Sequence, residues 1–193
     1  MAWILVNELL RKTIHIAILL VLLIYNAIEE SYSKQAGLFF IAGLLGIMLI
    51  IDYLRLELGW KIGFLSYVIR PKEEHRLNGG VYFLAATVIC LGVFDFNIAL
   101  AALLMTTFGD LSASLAGKTL GSSLIYKSKT WAGFTAEIIV NLAVGFIVLN
   151  NIYVIIGMAI VASISEILVE ELDDNLVIPL FAGFAGQLIK FAL

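Results

Sequence analysis

The stretch FNIALAALLMTTFGDLSASLAGKTLG, residues 96–121, begins as an unbroken apolar run and then admits an aspartate, serines, threonines, glycines and a lysine. Its first half reads as a buried helix that no proline and no charge interrupts before Asp110. An ionised carboxylate in hydrocarbon is costly, so Asp110 must face protein, water or a cation. Gly109, Ser112, Ser114 and Gly117 keep that helix surface thin. A thin surface lets a ligand come close, and it equally lets a neighbouring helix pack.

Outward from this stretch the chain stays apolar. Of its 193 residues 62% are hydrophobic and 14% charged, with a mean hydropathy of +1.03. A soluble domain of that size cannot hide so much apolar surface, which points to an integral membrane protein. The net charge of −3 names no partner, and no basic tail or aromatic–basic interleaving points to nucleic acid. The single cysteine, Cys90, lies inside an apolar run and supports neither a disulfide framework nor a cysteine metal site. Arg11 and Lys12 before an apolar run resemble the start of a signal peptide, but YNAIEE has no small-x-small cleavage pattern. A retained first helix is the expectation.

Seven apolar segments are predicted, at 13–28, 35–51, 79–94, 96–117, 131–149, 152–169 and 176–193. Several have strictly uncharged cores of only ~14–17 residues against the ~20 a bilayer requires, and each becomes a plausible span when flanking polar residues join the helix. GWKIGFLSYVI, 59–69, is too short to cross and reads as an interfacial or re-entrant piece. The runs lack the period-two alternation of a membrane barrel. The predicted fold is therefore all-α: one domain over 1–193, a bundle of about seven transmembrane helices.

If the spans alternate, Arg11, Lys12, Arg55, Lys61, Arg70, Lys72, Arg76, Lys118, Lys127 and Lys129 share one side, leaving Lys34 and Lys190 on the other. The positive-inside rule makes the first side, with the N-terminus, cytoplasmic. Acids gather on the same side. SEILVEELDDN, 165–175, ends helix six, and Glu166, Glu170 and Asp173 or Asp174 fall on one face at helical spacing. Carboxylates mixed with ammonium and guanidinium groups suit a nucleotide with its divalent cation. In NELLRKTIHI, 7–16, Glu8, Arg11, Lys12 and His15 form one stripe. RPKEEHRLNGG, 70–80, is a charged turn, and YKSKTWAG, 126–133, anchors a helix end. Glu137 meets the same difficulty as Asp110, though a lysine could neutralise it. There is no Walker loop, since GKTLG lacks the required earlier glycine, and no GxSxG, HExxH or EF-hand loop.

Read in order, ELLRKTIHI, HRLNGGVYF, GDLSASLAGKTLG, KSKTWAG and SEILVEELDDNLVIPLFAG resemble the polyprenol kinase family, which includes dolichol kinase, phytol kinase and CTP-dependent diacylglycerol kinase and is related to the CDP-lipid synthases. The resemblance runs across nearly the whole chain. It implies catalytic positions at Arg11, Lys12, Asp110 and Gly117, with Lys129, Glu166, Asp174 and Asn175 at other characteristic positions. Glu137 and Glu170 have no place in that pattern. The implied reaction is Mg2+-dependent phosphoryl transfer from CTP to the hydroxyl of a lipid alcohol at the cytoplasmic face. Asp110 and Asp174, with Glu166 as a third candidate, would hold Mg2+. Arg11, Lys12, Arg76, Gly117, Asn175 and one or more of Lys118, Lys127 and Lys129 would bind the triphosphate. A carboxylate near the metal, or His15, would accept the hydroxyl proton. Diacylglycerol phosphorylation and cytidylyl transfer to a lipid phosphate use the same ligand set, and an ion-coupled transporter is the alternative from another class.

Overall fold

A computed structural model describes residues 19–59, 73–121, 123–168 and 172–193. Arg11, Lys12, His15, the segment 60–72 and Glu170 lie outside the described residues. Helices dominate, and the chain forms two compact units, Met1–Val88 and Ile89–Leu193.

In the first unit, helix α1 is described over 19–31 and is followed by α2 (Lys34–Leu58). Ser33 separates them as an N-cap, its hydroxyl accepting from the Ala36 N–H at 3.2 Å. The two helices close tightly where Gly37 faces Tyr25; a Cβ at Gly37 would lie 2.7 Å from the ring. At the far end Gly59 takes the left-handed conformation, φ 66°, and caps α2 by donating to the Leu54 carbonyl. α2 runs well past the apolar segment 35–51 because its first interior charge is neutralised one turn later. Buried Asp52 accepts from the Arg55 Nε at 2.9 Å. The guanidinium then donates to the carbonyls of Glu73 and Arg76, at 2.9 and 2.6 Å, and pins the charged turn. The other Asp52 oxygen accepts from the Asn78 N–H at 2.7 Å. Asn78 caps α3 (Gly79–Val93), its Oδ1 accepting from Gly80 N at 2.8 Å.

The second unit holds α4 (Phe96–Leu120), a short hairpin of β1 (Leu124–Tyr126) and β2 (Lys129–Thr130), then α5 (Trp131–Val148), α6 (Ile152–Leu168) and α7 (Asp174–Ala192). The hairpin departs from the all-α expectation. Lys127 adopts φ 46°, reverses the chain, and pairs Leu124 with Thr130. α4 is central and packs on α5, α6 and α7. Its seam with α5 is antiparallel and made of small residues: Met105 meets Gly145, Gly109 meets Asn141 and Glu137, and Ala113 meets Gly133. Here the glycines serve close helix packing.

Among the described residues four helices, α2, α4, α5 and α7, are long and apolar enough to cross a membrane. α3 and α6 are apolar but have 15 and 17 residues. At 1.5 Å per residue they reach ~22 and ~25 Å, short of a ~30 Å hydrocarbon layer. Large apolar side chains stand exposed on these helices, among them Phe39, Ile50, Ile147 and Phe184.

Candidate functional site

The hairpin presents Lys129 immediately before α5, and Thr130 fixes that junction by capping the helix, its hydroxyl accepting from the Gly133 N–H at 3.1 Å. The Lys129 ammonium reaches across to Glu166, near the end of α6, and pairs with its Oε1. Asp110 of α4 and Asp174 at the start of α7 lie in the same electrostatic neighbourhood. Burial pulls the Lys129 pKa down, but the carboxylates of Glu166, Asp110 and Asp174 outweigh it and the net shift is upward. Four elements distant in sequence thus deliver one lysine and three acids to one end of the unit.

A fourth carboxylate lies deeper. Glu137, on α5, is 2% exposed and interacts electrostatically with Glu166, Asp110 and Lys129. Asn141 follows it one turn on and donates through Nδ2 to the Ser163 hydroxyl of α6 at 3.1 Å. Asn141 and Ser163 are fully buried. Among the described residues two buried acceptors have no hydrogen-bond donor, Asn141 Oδ1 and Glu166 Oε2. The first faces the space above Gly109, where a Cβ would lie 2.6 Å away. The second sits on a carboxylate whose other oxygen Lys129 already holds. A buried carboxylate oxygen without a donor attracts a cation or a proton.

The acids opening α7 are tied together locally. Asp173 caps the helix, accepting from the Asn175 N–H at 3.1 Å. The buried Asn175 side chain donates to Asp173 Oδ1 at 2.8 Å and to Asp174 Oδ1 at 3.2 Å. Burial first, and then the neighbouring Asp174 charge, raise the Asp173 pKa against these bonds.

Of the residues singled out from sequence, Asp110, Lys129, Glu166 and Asp174 are brought together. Asn175 adjoins them, with its amide engaged by the two aspartates. Gly117 turns its open side to Thr130, where a Cβ would lie 3.0 Å from the hydroxyl, so packing accounts for that glycine. Lys118 is exposed in the last turn of α4. Lys127 is exposed at the hairpin turn, 5.3 Å from the centroid of the Tyr126 ring. Arg76 belongs to the first unit, where its side chain is exposed and its carbonyl accepts from Arg55. Arg11, Lys12 and His15 fall outside the described residues. Among the described residues no three His, Cys, Asp or Glu side chains gather closely enough to hold a metal ion by themselves.

Asn141 and Ser163 are the polar members that reading by motif passes over. Their signal is a stripe rather than a motif: Gly133, Glu137, Asn141 and Gly145 recur every fourth residue in a helix otherwise almost wholly apolar. Comparison with family models, with curated proteins and with solved structures finds no match to this chain.

Proposed function

We propose that this chain is a multi-pass membrane enzyme, a bundle of about seven spans, that transfers the γ-phosphoryl group of CTP to the hydroxyl of a lipid alcohol at the cytoplasmic face. The observation that carries the reading is the meeting of Lys129, Glu166, Asp110 and Asp174 at one end of the second unit. The resemblance to the polyprenol kinases supplies the reaction, and the exposed apolar helix faces support the membrane setting. Phosphoryl transfer asks a protein mainly for charge neutralisation and alignment, which a mixed acidic and basic cluster provides.

Mg2+ fits these residues. It is commonly held by one or two carboxylates together with substrate phosphates and water, so a three-carboxylate cage is not required. The unpartnered Glu166 Oε2 is an oxygen of the right kind. Glu166, Asp110 and Asp174 are the candidates, of which one or two would hold the ion together with substrate phosphates and water; bound there it would supply charge neutralisation. Lys129, with Lys118 and Lys127 at the same end of α4 and on the hairpin, grips the phosphate oxygens, and Arg11 and Lys12 join them by the resemblance. The alcohol enters from the lipid with its hydroxyl at the interface. That hydroxyl gives its proton to a carboxylate of the cluster or to His15, its oxygen bonds to the γ-phosphorus, and the bond to the β-phosphate oxygen breaks to release CDP.

Purified protein given γ-labelled CTP and a panel of dolichol, phytol, geranylgeraniol and diacylglycerol tests this. Label on the lipid supports the kinase and names the acceptor. Label in pyrophosphate replaces it with a cytidylyltransferase, and label on neither product overturns both. The buried Glu137–Asn141–Ser163 set favours a second reading, an ion-coupled transporter. Nucleotide-independent uptake into proteoliposomes would establish that one instead.

A further inference from the structure

The Lys129 ammonium occupies one oxygen of the Glu166 carboxylate, an oxygen that a divalent cation would also use. It contacts Glu166 Oε1 and is held further by the charges of Asp110 and Asp174, the three carboxylates named above as candidates for the metal. Glu166 is 4% exposed, so its Oε2 cannot turn to bulk water, and no donor reaches it. A half-satisfied buried carboxylate is poorly matched to an ammonium alone and well matched to an ion that binds one or both oxygens. Lys129, by contrast, can leave. Its side chain keeps 33% exposure, and it projects from a two-residue strand beside an exposed turn.

We propose that Lys129 and a divalent cation exchange at Glu166: the ammonium holds the carboxylates until the metal enters, and is then displaced onto the phosphates of the bound nucleotide. The inference rests on the reading that this site takes a metal–nucleotide complex. Two cations sharing one buried carboxylate repel strongly, so occupancy by one weakens the other. A displaced ammonium is a compact donor suited to phosphate oxygens. The exchange therefore couples the two ligands. Metal binds weakly to the nucleotide-free protein because it must break an ion pair, and nucleotide relieves that penalty by receiving the lysine. By linkage, metal raises nucleotide affinity by the same factor.

The test uses Mn2+ alone with the full chain in detergent. Lys129→Met should bind Mn2+ about tenfold more tightly than wild type in the absence of nucleotide, on the scale expected for removing one competing charge. Equal or weaker binding overturns the exchange, as does a failure of Mn2+ to bind either protein. A second measurement needs no variant. In the wild-type protein, acylation of Lys129 by an amine-reactive reagent should rise several-fold when Mn2+ is added, with Lys127 as the internal reference. Unchanged or reduced Lys129 labelling overturns the proposal. Labelled lipid with no change at Lys129 removes the exchange and leaves the kinase standing; the exchange without labelled lipid does the reverse.

Discussion

Each unit buries an acid beside a cation, and the two arrangements differ in how completely the acid is satisfied. In the first, both oxygens of Asp52 have donors, Arg55 Nε at 2.9 Å and the Asn78 N–H at 2.7 Å, and the rest of the guanidinium is spent on the carbonyls of the turn before α3. One negative charge meets one positive charge and the bonds close on backbone. In the second, Glu166 has a donor on one oxygen only, and Glu137, Asp110 and Asp174 add carboxylates around the same lysine. A closed pair staples a loop to a helix. An acid left with one unsatisfied oxygen can still accept a further donor or a cation.

Substitutions in the two regions should therefore fail in different ways. The largest expected effect is on stability in the first unit. Asp52→Ala leaves the Arg55 guanidinium without its counter-charge and should cost ~3–5 kcal/mol, read as a lowered melting temperature in detergent. A melting temperature equal to wild type would make the staple ornamental and break the contrast. Next, Asp110→Asn should leave a folded, extractable protein that transfers label at least about a hundredfold more slowly, on the order of 3 kcal/mol at the transition state. Near-wild-type transfer would take Asp110 out of the site.

Gly109→Ala probes the seam between α4 and α5. Its methyl would lie 2.6 Å from Asn141 Oδ1 and 3.2 Å from the Glu137 Cγ. Overpacking of this kind costs ~1–3 kcal/mol and should appear in thermal unfolding, with activity falling as Glu137 and Asn141 are pushed aside. The smallest effect is expected at Asp173, where asparagine keeps the cap and removes the charge facing Asp174. The folded-state pKa of Asp173 is raised above its ordinary 3.8, so the folded protein holds that proton more tightly than the unfolded chain. The favourable linkage is complete below 3.8 and is lost as pH rises through the folded value. Asp173→Asn should thus be more stable than wild type at neutral pH by a few tenths of a kcal/mol, with the difference vanishing in acid. Greater stability of the wild type at neutral pH would show that the Asp173 charge helps rather than strains the α7 terminus.

Much of the helix layout is legible in the chain. The predicted segments 79–94 and 131–149 differ from α3 and α5 by a single residue at one end, and the predicted start at 152 is that of α6, because glycine, Thr130 and the asparagine pair at 150–151 mark boundaries locally. α2 was harder to read. Counting uncharged residues ends it at Ile51, while the helix continues to Leu58 because Asp52 and Arg55 neutralise each other three residues apart. The hairpin was missed for a related reason. Five strand residues around a positive-φ lysine carry no periodicity to detect.

Single positions were informative only where polarity was out of place. Asp110 and Glu137 were visible as charges in apolar helices, whereas Asn141 and Ser163 are neutral residues whose meaning depends on the helix opposite. The glycines of α4 were open to two readings, and the side to which Gly109 and Gly117 turn decided for packing. What the sequence alone determined is the list of helices and the presence of costly polar groups among them, since hydropathy and capping act between near neighbours. That Lys129 and Glu166, 37 residues apart, share a contact with Asp110 and Asp174 beside it was decided only by tertiary structure. Convergence at such separations depends on the directions in which packed helices return, and no local property of the chain encodes that direction.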